Sequence, residues 1–280
     1  MIVKEVVPIR DIDYVVHDSG PLTGRLYIPE GVGPFPSVIN VHGGTWVGGN
    51  RLSNEPTSQL LAAAGMLVFA PEFRMPPAVR YPEPIADINA AIRWLKATAP
   101  TYGGSSRVAG IGFSSGGHQL MLAAMRPGDP RYRHIPLPGN DHNAALSAIV
   151  LCYAVLDPSS RYDMAESVGR EDLTRGHIAY WPDESAAAEG NPQRILDLGE
   201  QVTLPPALAI QGDTDTNLTP DMAVRFGEAY RRAGGSAEVL RYPEAQHGFL
   251  RKDPESAAAR DANERIVAFL RTHAGPNPRS

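Results

Sequence analysis

One cysteine, Cys152, stands in a chain of 280 residues, so no disulfide within the chain can brace the fold. It lies in the apolar run 148–153, where a small buried hydrophobe is the expected role. No stretch approaches the roughly 20 apolar residues that a membrane-crossing helix needs. The start, residues 1–8, carries Lys4 and Glu5 and no apolar run of leader length. These absences point away from a membrane and make a cytoplasmic location the expectation. Charge of one sign is nowhere concentrated: 26 Lys and Arg stand against 31 Asp and Glu, a formal net charge of -5. Without a basic stripe, nucleic acid is not expected as a partner. The chain also lacks a Walker P-loop, an H-E-x-x-H and a C-x-x-C, so neither nucleotide nor zinc chemistry is signalled and no cofactor is expected. His134, Asp141 and His142 cluster in sequence but read as a solvated polar loop rather than a metal site.

What the chain does have is rhythm. Short apolar runs at 37–42, 66–71, 108–113, 148–153, 207–211 and 237–242 alternate with longer segments of helical periodicity. Several runs are nearly continuous in Val, Ile, Leu and Ala, as expected of strands covered on both faces. Residues 84–99 carry Ile85, Ile88, Ile92 and Leu95 at spacings of three and four, and 221–233 and 256–272 show similar stripes. Strands alternating with helices predict an α/β fold with a mostly parallel sheet flanked by helices. Segments near 12–16 and 25–28 would add antiparallel edge strands. Two stretches break the rhythm: 126–143 is rich in Pro, Gly, His and Arg, and 157–199 is a polar-aromatic excursion. Long irregular insertions in compact domains are usually functional lids or disordered segments. The expectation is therefore one domain over 1–280, with cap insertions at about 126–145 and 157–200.

The chemistry centres on Gly112-Phe113-Ser114-Ser115-Gly116-Gly117, which follows one strand-like run and precedes a helix-like one. A serine in G-x-S-x-G between strand and helix sits on a tight turn that exposes its hydroxyl, and flanking glycines keep side chains out of the crowded turn. A serine nucleophile needs a base, and the base needs an acid to hold its tautomer. His247, in Gln246-His247-Gly248-Phe249, falls in a loop after the last strand-like run and is the predicted base. His134, His142 and His177 lie in the insertions, and His273 sits near the chain end on the last helix. For the acid, Gln211-Gly212-Asp213-Thr214-Asp215 offers both Asp213 and Asp215 in one loop. Upstream, His42-Gly43-Gly44-Thr45-Trp46 follows another strand-like run; glycines there let backbone amides turn toward a developing oxyanion. Gly43, Gly44 and Ser115 are the predicted oxyanion-hole donors.

Taken together, these motifs resemble the esterase/lipase branch of the α/β-hydrolases, which includes hormone-sensitive-lipase-like carboxylesterases, acetyl esterases and arylformamidases. The resemblance runs from about residue 37 to 269. It implies an α/β-hydrolase fold with about eight strands, and it places the acid at the last position of Gly-x-x-Asp, which is Asp215. Glu72-Phe73-Arg74 and Tyr81-Pro82-Glu83-Pro84-Ile85-Ala86-Asp87 resemble the family's Tyr-Arg-Leu-Ala-Pro-Glu region, which implies an ion pair between Arg74 and Asp87 behind the oxyanion loop. Thr45 departs from the third glycine of many members. The chain ahead of His42 is also too short for the long helical lid of many hormone-sensitive-lipase relatives, which implies a smaller, more open architecture.

The resemblance implies a serine carboxylesterase acting on a small-molecule ester, with Ser114, Asp215 and His247 as catalytic residues. The same machinery would also serve an arylformamidase or a lactone hydrolase. From another class, an inactive ligand-binding module on this scaffold is the rival, opposed by the filling of all three triad positions. Trp46, Tyr180 and Trp181, with Tyr162 and Met164, either line the substrate pocket or hold the cap on the core. The oligomeric state is open, a homodimer included.

Overall fold

The computed structural model describes residues 7–275; most of the start that was read for a leader lies outside them. Eight strands form one sheet in the order β1-β2-β4-β3-β5-β6-β7-β8. They are β1 (Ile9–His17), β2 (Gly20–Tyr27), β3 (Phe35–Val41), β4 (Leu67–Pro71), β5 (Gly104–Phe113), β6 (Ile149–Cys152), β7 (Ala207–Gly212) and β8 (Ala237–Tyr242). β1 pairs antiparallel with β2 and β2 with β4; every other pairing is parallel. The apolar runs account for this. β4, β6 and β7 are buried along their whole length, as strands covered on both faces must be. The edges β1 and β8 are only partly covered, and their sequences are correspondingly mixed.

The helices are α1 (Glu55–Ala63), α2 (Glu83–Thr98), α3 (Ser115–Met125), α4 (Pro130–Arg133), α5 (Pro158–Ser167), α6 (Glu171–Tyr180), α7 (Glu184–Glu189), α8 (Pro192–Asp197), α9 (Met222–Arg232), α10 (Phe249–Lys252) and α11 (Ala257–Ala274). The apolar stripe of α2 buries Ile85, Ile88, Ile92 and Leu95. The predicted stripes at 221–233 and 256–272 become α9 and α11. The excursion 157–199, expected to be irregular, is instead helical from α5 to α8. Its helices lack a long apolar stripe, so periodicity does not reveal them, but their starts follow local rules. Asp157, Asp183 and Asn191 each cap a helix by accepting the amide three residues on, and proline follows directly at Pro158 and Pro192.

The sheet order locates the crevice. From β3 the chain goes to β4 on one side, then returns past β3 to β5 on the other. Such a reversal opens a cleft at the carboxyl ends of the two strands, where open α/β sheets bind ligands. The residues after β3 are the 42–46 loop, and the residue after β5 is Ser114. Behind that loop lies the ion pair implied by the resemblance. The Asp87 side chain on α2 is fully buried and accepts from Arg74 Nε and Nη2 at 2.9 Å, from the Arg74 amide at 2.9 Å, and lies 2.9 Å from His17 Nε2. Adjacent Phe73 stacks on the His42 ring, with centroids 4.3 Å apart.

Removing the Asp87 carboxylate would leave His17 facing a buried gap and Arg74 with Glu83 alone, at 3.0 Å. Asp87→Ala is expected to cost about 3–5 kcal/mol of stability, the scale for breaking one side of a buried pair. Urea unfolding measures it, and a loss below about 1 kcal/mol, the scale of an exposed pair, would contradict the assignment.

Candidate active site

β5 delivers Ser114 on a turn that only glycines permit. Ser114 itself adopts φ 51 and ψ -123, a left-handed backbone rare for a residue with a side chain. A Cβ on Gly116 would stand 2.1 Å from the His42 carbonyl oxygen, so any larger residue would drive the turn away from the neighbouring loop. The turn is held by its amide, which donates to the Cys152 carbonyl at 3.0 Å, and by its carbonyl, which accepts from Val155 at 3.2 Å. α3 begins at Ser115, directly after the hydroxyl, so its unpaired N-terminal amides and dipole favour negative charge there.

Three side chains from three loops converge. His247 Nε2 lies 3.0 Å from Ser114 Oγ, and His247 Nδ1 lies 2.7 Å from Asp215 Oδ2. The Asp215 side chain is 1% exposed, and its other oxygen accepts the amides of Asn217 at 2.8 Å and Leu218 at 3.1 Å. An ionised carboxylate accepts only, so the short contact assigns the proton to Nδ1 and leaves Nε2 free to accept from the serine. Asp213 turns the other way and accepts from Arg241 Nε at 2.6 Å on the surface. Of the other downstream histidines, His134 lies 3.4 Å from Glu83 and His273 packs on Phe269, while His177 sits in α6 away from Ser114 Oγ contacts.

The 42–46 loop lies against the elbow. Among the described residues, the amides of Gly43, Gly44 and Ser115 donate to no protein acceptor. A Cβ on Gly43 would come within 2.7 Å of the Phe113 carbonyl oxygen, so this backbone touches the elbow directly. Thr45 has φ 57 and Trp46 φ 65, so both residues hold a glycine-like conformation. The Trp46 amide donates to Ser115 Oγ at 3.1 Å, fixing loop to elbow.

Of the two roles open to the candidate pocket residues, two of the three show the packing one. Trp46 is 1% exposed and Tyr180 is wholly buried, and their rings stack with centroids 5.3 Å apart. Large rings at these positions fill the space between the loop and α6 and so build the wall from behind. Trp181 is also buried, yet it borders a cavity of about 490 Å³ together with Tyr162, His177 and Ile178. Ser114 does not line that cavity. Met164 borders it neither.

A residue that the sequence reading passed over completes the frame. His118 Nδ1 accepts from Trp46 Nε1 at 3.0 Å, and its Nε2 donates to the Gly190 carbonyl at 2.9 Å. Burial pushes its pKa down to about 3, so the ring stays neutral and holds one tautomer. It joins α3, the 42–46 loop and the helical excursion. It stands one turn into α3, and its partners Trp46 and Gly190 are each 72 residues away in the chain, so no local pattern announces it.

Known proteins share this frame. A family model described as BD-FAE matches residues 25–229, which include the 42–46 loop, Ser114 and Asp215 but stop short of His247. Esterase LipC of Mycobacterium tuberculosis is 30% identical over 223 residues, covering 77% of this chain and 53% of LipC. The chain thus spans about half the length of that relative. Ethyl acetate hydrolase of Pseudomonas putida is 26% identical over 273 residues, covering 95% of this chain and 83% of that protein. A hyperthermophilic esterase from the archaeon Pyrobaculum calidifontis, 22% identical, superposes with a TM-score of 0.78 over 96% of this chain and 87% of its own. With most of its length matched by that family model, and with an eight-stranded sheet carrying the elbow and loop in these places, the chain belongs to the BD-FAE family and has the α/β-hydrolase fold.

Proposed function

We propose that this chain is a serine hydrolase that cleaves small carboxylic esters through an acyl-enzyme. One observation carries the reading: an unbroken line of contacts from Ser114 Oγ through His247 to Asp215, at 3.0 and 2.7 Å. Ester hydrolysis is supported further by relatives whose names include an esterase and an ethyl acetate hydrolase.

The steps follow from the geometry. Ser114 Oγ attacks the ester carbonyl carbon as its proton passes to His247 Nε2. The carbonyl oxygen becomes an oxyanion, which the amides of Gly43, Gly44 and Ser115 receive. Asp215 holds the imidazole in the required tautomer and stabilises the imidazolium that forms. Collapse of the tetrahedral intermediate breaks the bond to the alcohol oxygen, which takes the Nε2 proton and leaves. Water then enters, gives a proton to His247 and attacks the acyl carbon, and the second collapse returns Ser114 with its proton. These steps draw only on side chains and amides of this chain. The buried Trp46 and Tyr180 bring bulk close behind the loop, which suits a small acyl group.

Hydrolysis of p-nitrophenyl esters from acetate to palmitate tests the reading. Turnover is expected to peak at acetate or butyrate and to vanish in Ser114→Ala, with circular dichroism unchanged. Parent-level turnover in Ser114→Ala would overturn the proposal. If no ester is turned over although Ser114 reacts with a fluorophosphonate, the substrate is a formamide or a lactone instead.

The acid is tested separately. Asp215→Asn is expected to lower kcat about 10³–10⁴-fold, because the amide would favour the wrong imidazole tautomer. Asp213→Asn, which loses only a surface pair with Arg241, is expected to keep kcat within about two-fold. Reversed effects would assign the acid to Asp213.

A further inference from the structure

Arg161, on α5, is a buried cation with no carboxylate within ion-pair distance among the described residues. It is 2% exposed, and its Nη1 has no hydrogen-bond partner. The nearby carboxylates are committed elsewhere: Asp172 to Arg170 at 2.8 Å and Asp215 to His247 at 2.7 Å. A guanidinium carries five N–H donors, and burying them unpaired is costly. Burial lowers its pKa to about 10, so it remains charged at neutral pH.

The contacts that Arg161 does make fall on two loops of the site. Its Nε donates to the Asn217 carbonyl at 3.4 Å, and its guanidinium lies over the Trp46 ring, 5.0 Å from the centroid. Asn217 is the residue whose amide holds Asp215 Oδ1 at 2.8 Å, and Trp46 is the residue whose amide holds Ser115 Oγ at 3.1 Å. Arg161 thus spans the gap between the loop that carries the acid and the loop that offers the oxyanion donors. Arg170 braces the same acid loop, with Nη2 donating to Asn217 Oδ1 at 3.0 Å, but its charge is offset by Asp172 and is partly solvated.

We propose that Arg161 is a positioning residue that ties the acid loop to the oxyanion loop. This rests on the hydrolase reading above. The charged and titratable groups that face Arg161 are Asp172 and Arg170 at the start of α6, His177 within α6, and Asp215 across the gap. Burial and the adjacent Arg161 hold His177 neutral, with its pKa down at about 4. His247 in turn meets Asp215, Ser114 and the edge of Tyr153, and Arg251 lies within electrostatic reach of Tyr153. Without Arg161 the acid loop and the 42–46 loop would lose the side chain that bridges them, so the loss would fall on kcat rather than on substrate binding.

The test compares Arg161→Gln and Arg161→Lys with the parent, each as the full chain, by kcat and KM on p-nitrophenyl acetate. Arg161→Gln is expected to lose about ten-fold or more in kcat with KM little changed. Arg161→Lys keeps the charge without the planar fork, so part of the loss should be recovered and part should remain. A parental kcat in Arg161→Gln overturns the proposal. A loss confined to KM does so too, since it would mean that Arg161 contacts substrate. If circular dichroism finds Arg161→Gln unfolded, Arg161→Lys decides alone: lowered kcat with parental KM supports the proposal, and parental kcat overturns it. Fluorophosphonate labelling of the parent keeps the two readings apart. An unlabelled Ser114 would sink the hydrolase reading, whereas a labelled Ser114 with a parental Arg161→Gln would sink only the role of Arg161.

Discussion

Two backbone turns, the elbow at Ser114 and the 42–46 loop, press together with no side chain between them. Room for a single Cβ is missing on either side: at Gly116 it would meet the His42 carbonyl oxygen at 2.1 Å, and at Gly43 the Phe113 carbonyl oxygen at 2.7 Å. The contact is possible because parallel strands β3 and β5 are neighbours whose outgoing chains part to opposite sides of the sheet. In the reading proposed above, it is this contact that sets the amides of Gly43, Gly44 and Ser115 beside the hydroxyl of Ser114. Backbone donors held in this way need little reorganisation when charge develops, which is where preorganised sites gain most over water.

A second layer keeps those turns from drifting. Trp46 is gripped by its amide on Ser115, its indole nitrogen on His118, and its face on Tyr180 and Arg161. These partners come from α3, α5 and α6, so the helical excursion after β6 packs onto the loop that follows β3. Gly176 in α6 lies so near Thr45 that a Cβ there would come within 2.5 Å of its carbonyl oxygen. The polar atoms within this layer serve as fasteners. His118 bonds at both ring nitrogens in a fully buried setting, where an unpaired nitrogen would be expensive. Behind the loop, the Arg74–Asp87 pair and the His42–Phe73 stack do the same work from the side of α2.

Legibility in the sequence follows the range of the interactions involved. The elbow, the Gly43-Gly44 turn and the loop histidine are local patterns, each bounded by a strand, so the fold, Ser114 and His247 could be read directly. Asp213 and Asp215 could not be separated by local pattern, because both sit in one loop after β7. What separates them is a turn in which Asp215 accepts the amides of Asn217 and Leu218 and faces inward, while Asp213 finds Arg241 on β8. Only the family resemblance pointed to Asp215, the one whose Oδ2 lies 2.7 Å from His247 Nδ1. The buried stack of Trp46, His118 and Tyr180 joins residues far apart in the chain, so no spacing rule announces it, and Trp46 and Tyr180 looked as fit for a pocket as for a wall. α5 and α8 hid for a different reason. Their apolar faces are short, and the Asp157-Pro158 and Asn191-Pro192 caps were stronger signals than periodicity.

The central claim is that Ser114 carries the acyl group between two half-reactions. Rapid mixing with p-nitrophenyl acetate, quenched in acid and followed by mass spectrometry of the peptides, tests it most directly. The account expects a burst of p-nitrophenol near one equivalent per chain and an acetyl increment on the peptide containing Ser114. Turnover with no burst and no adduct, under conditions where deacylation has been slowed, or an adduct on another residue, would contradict it.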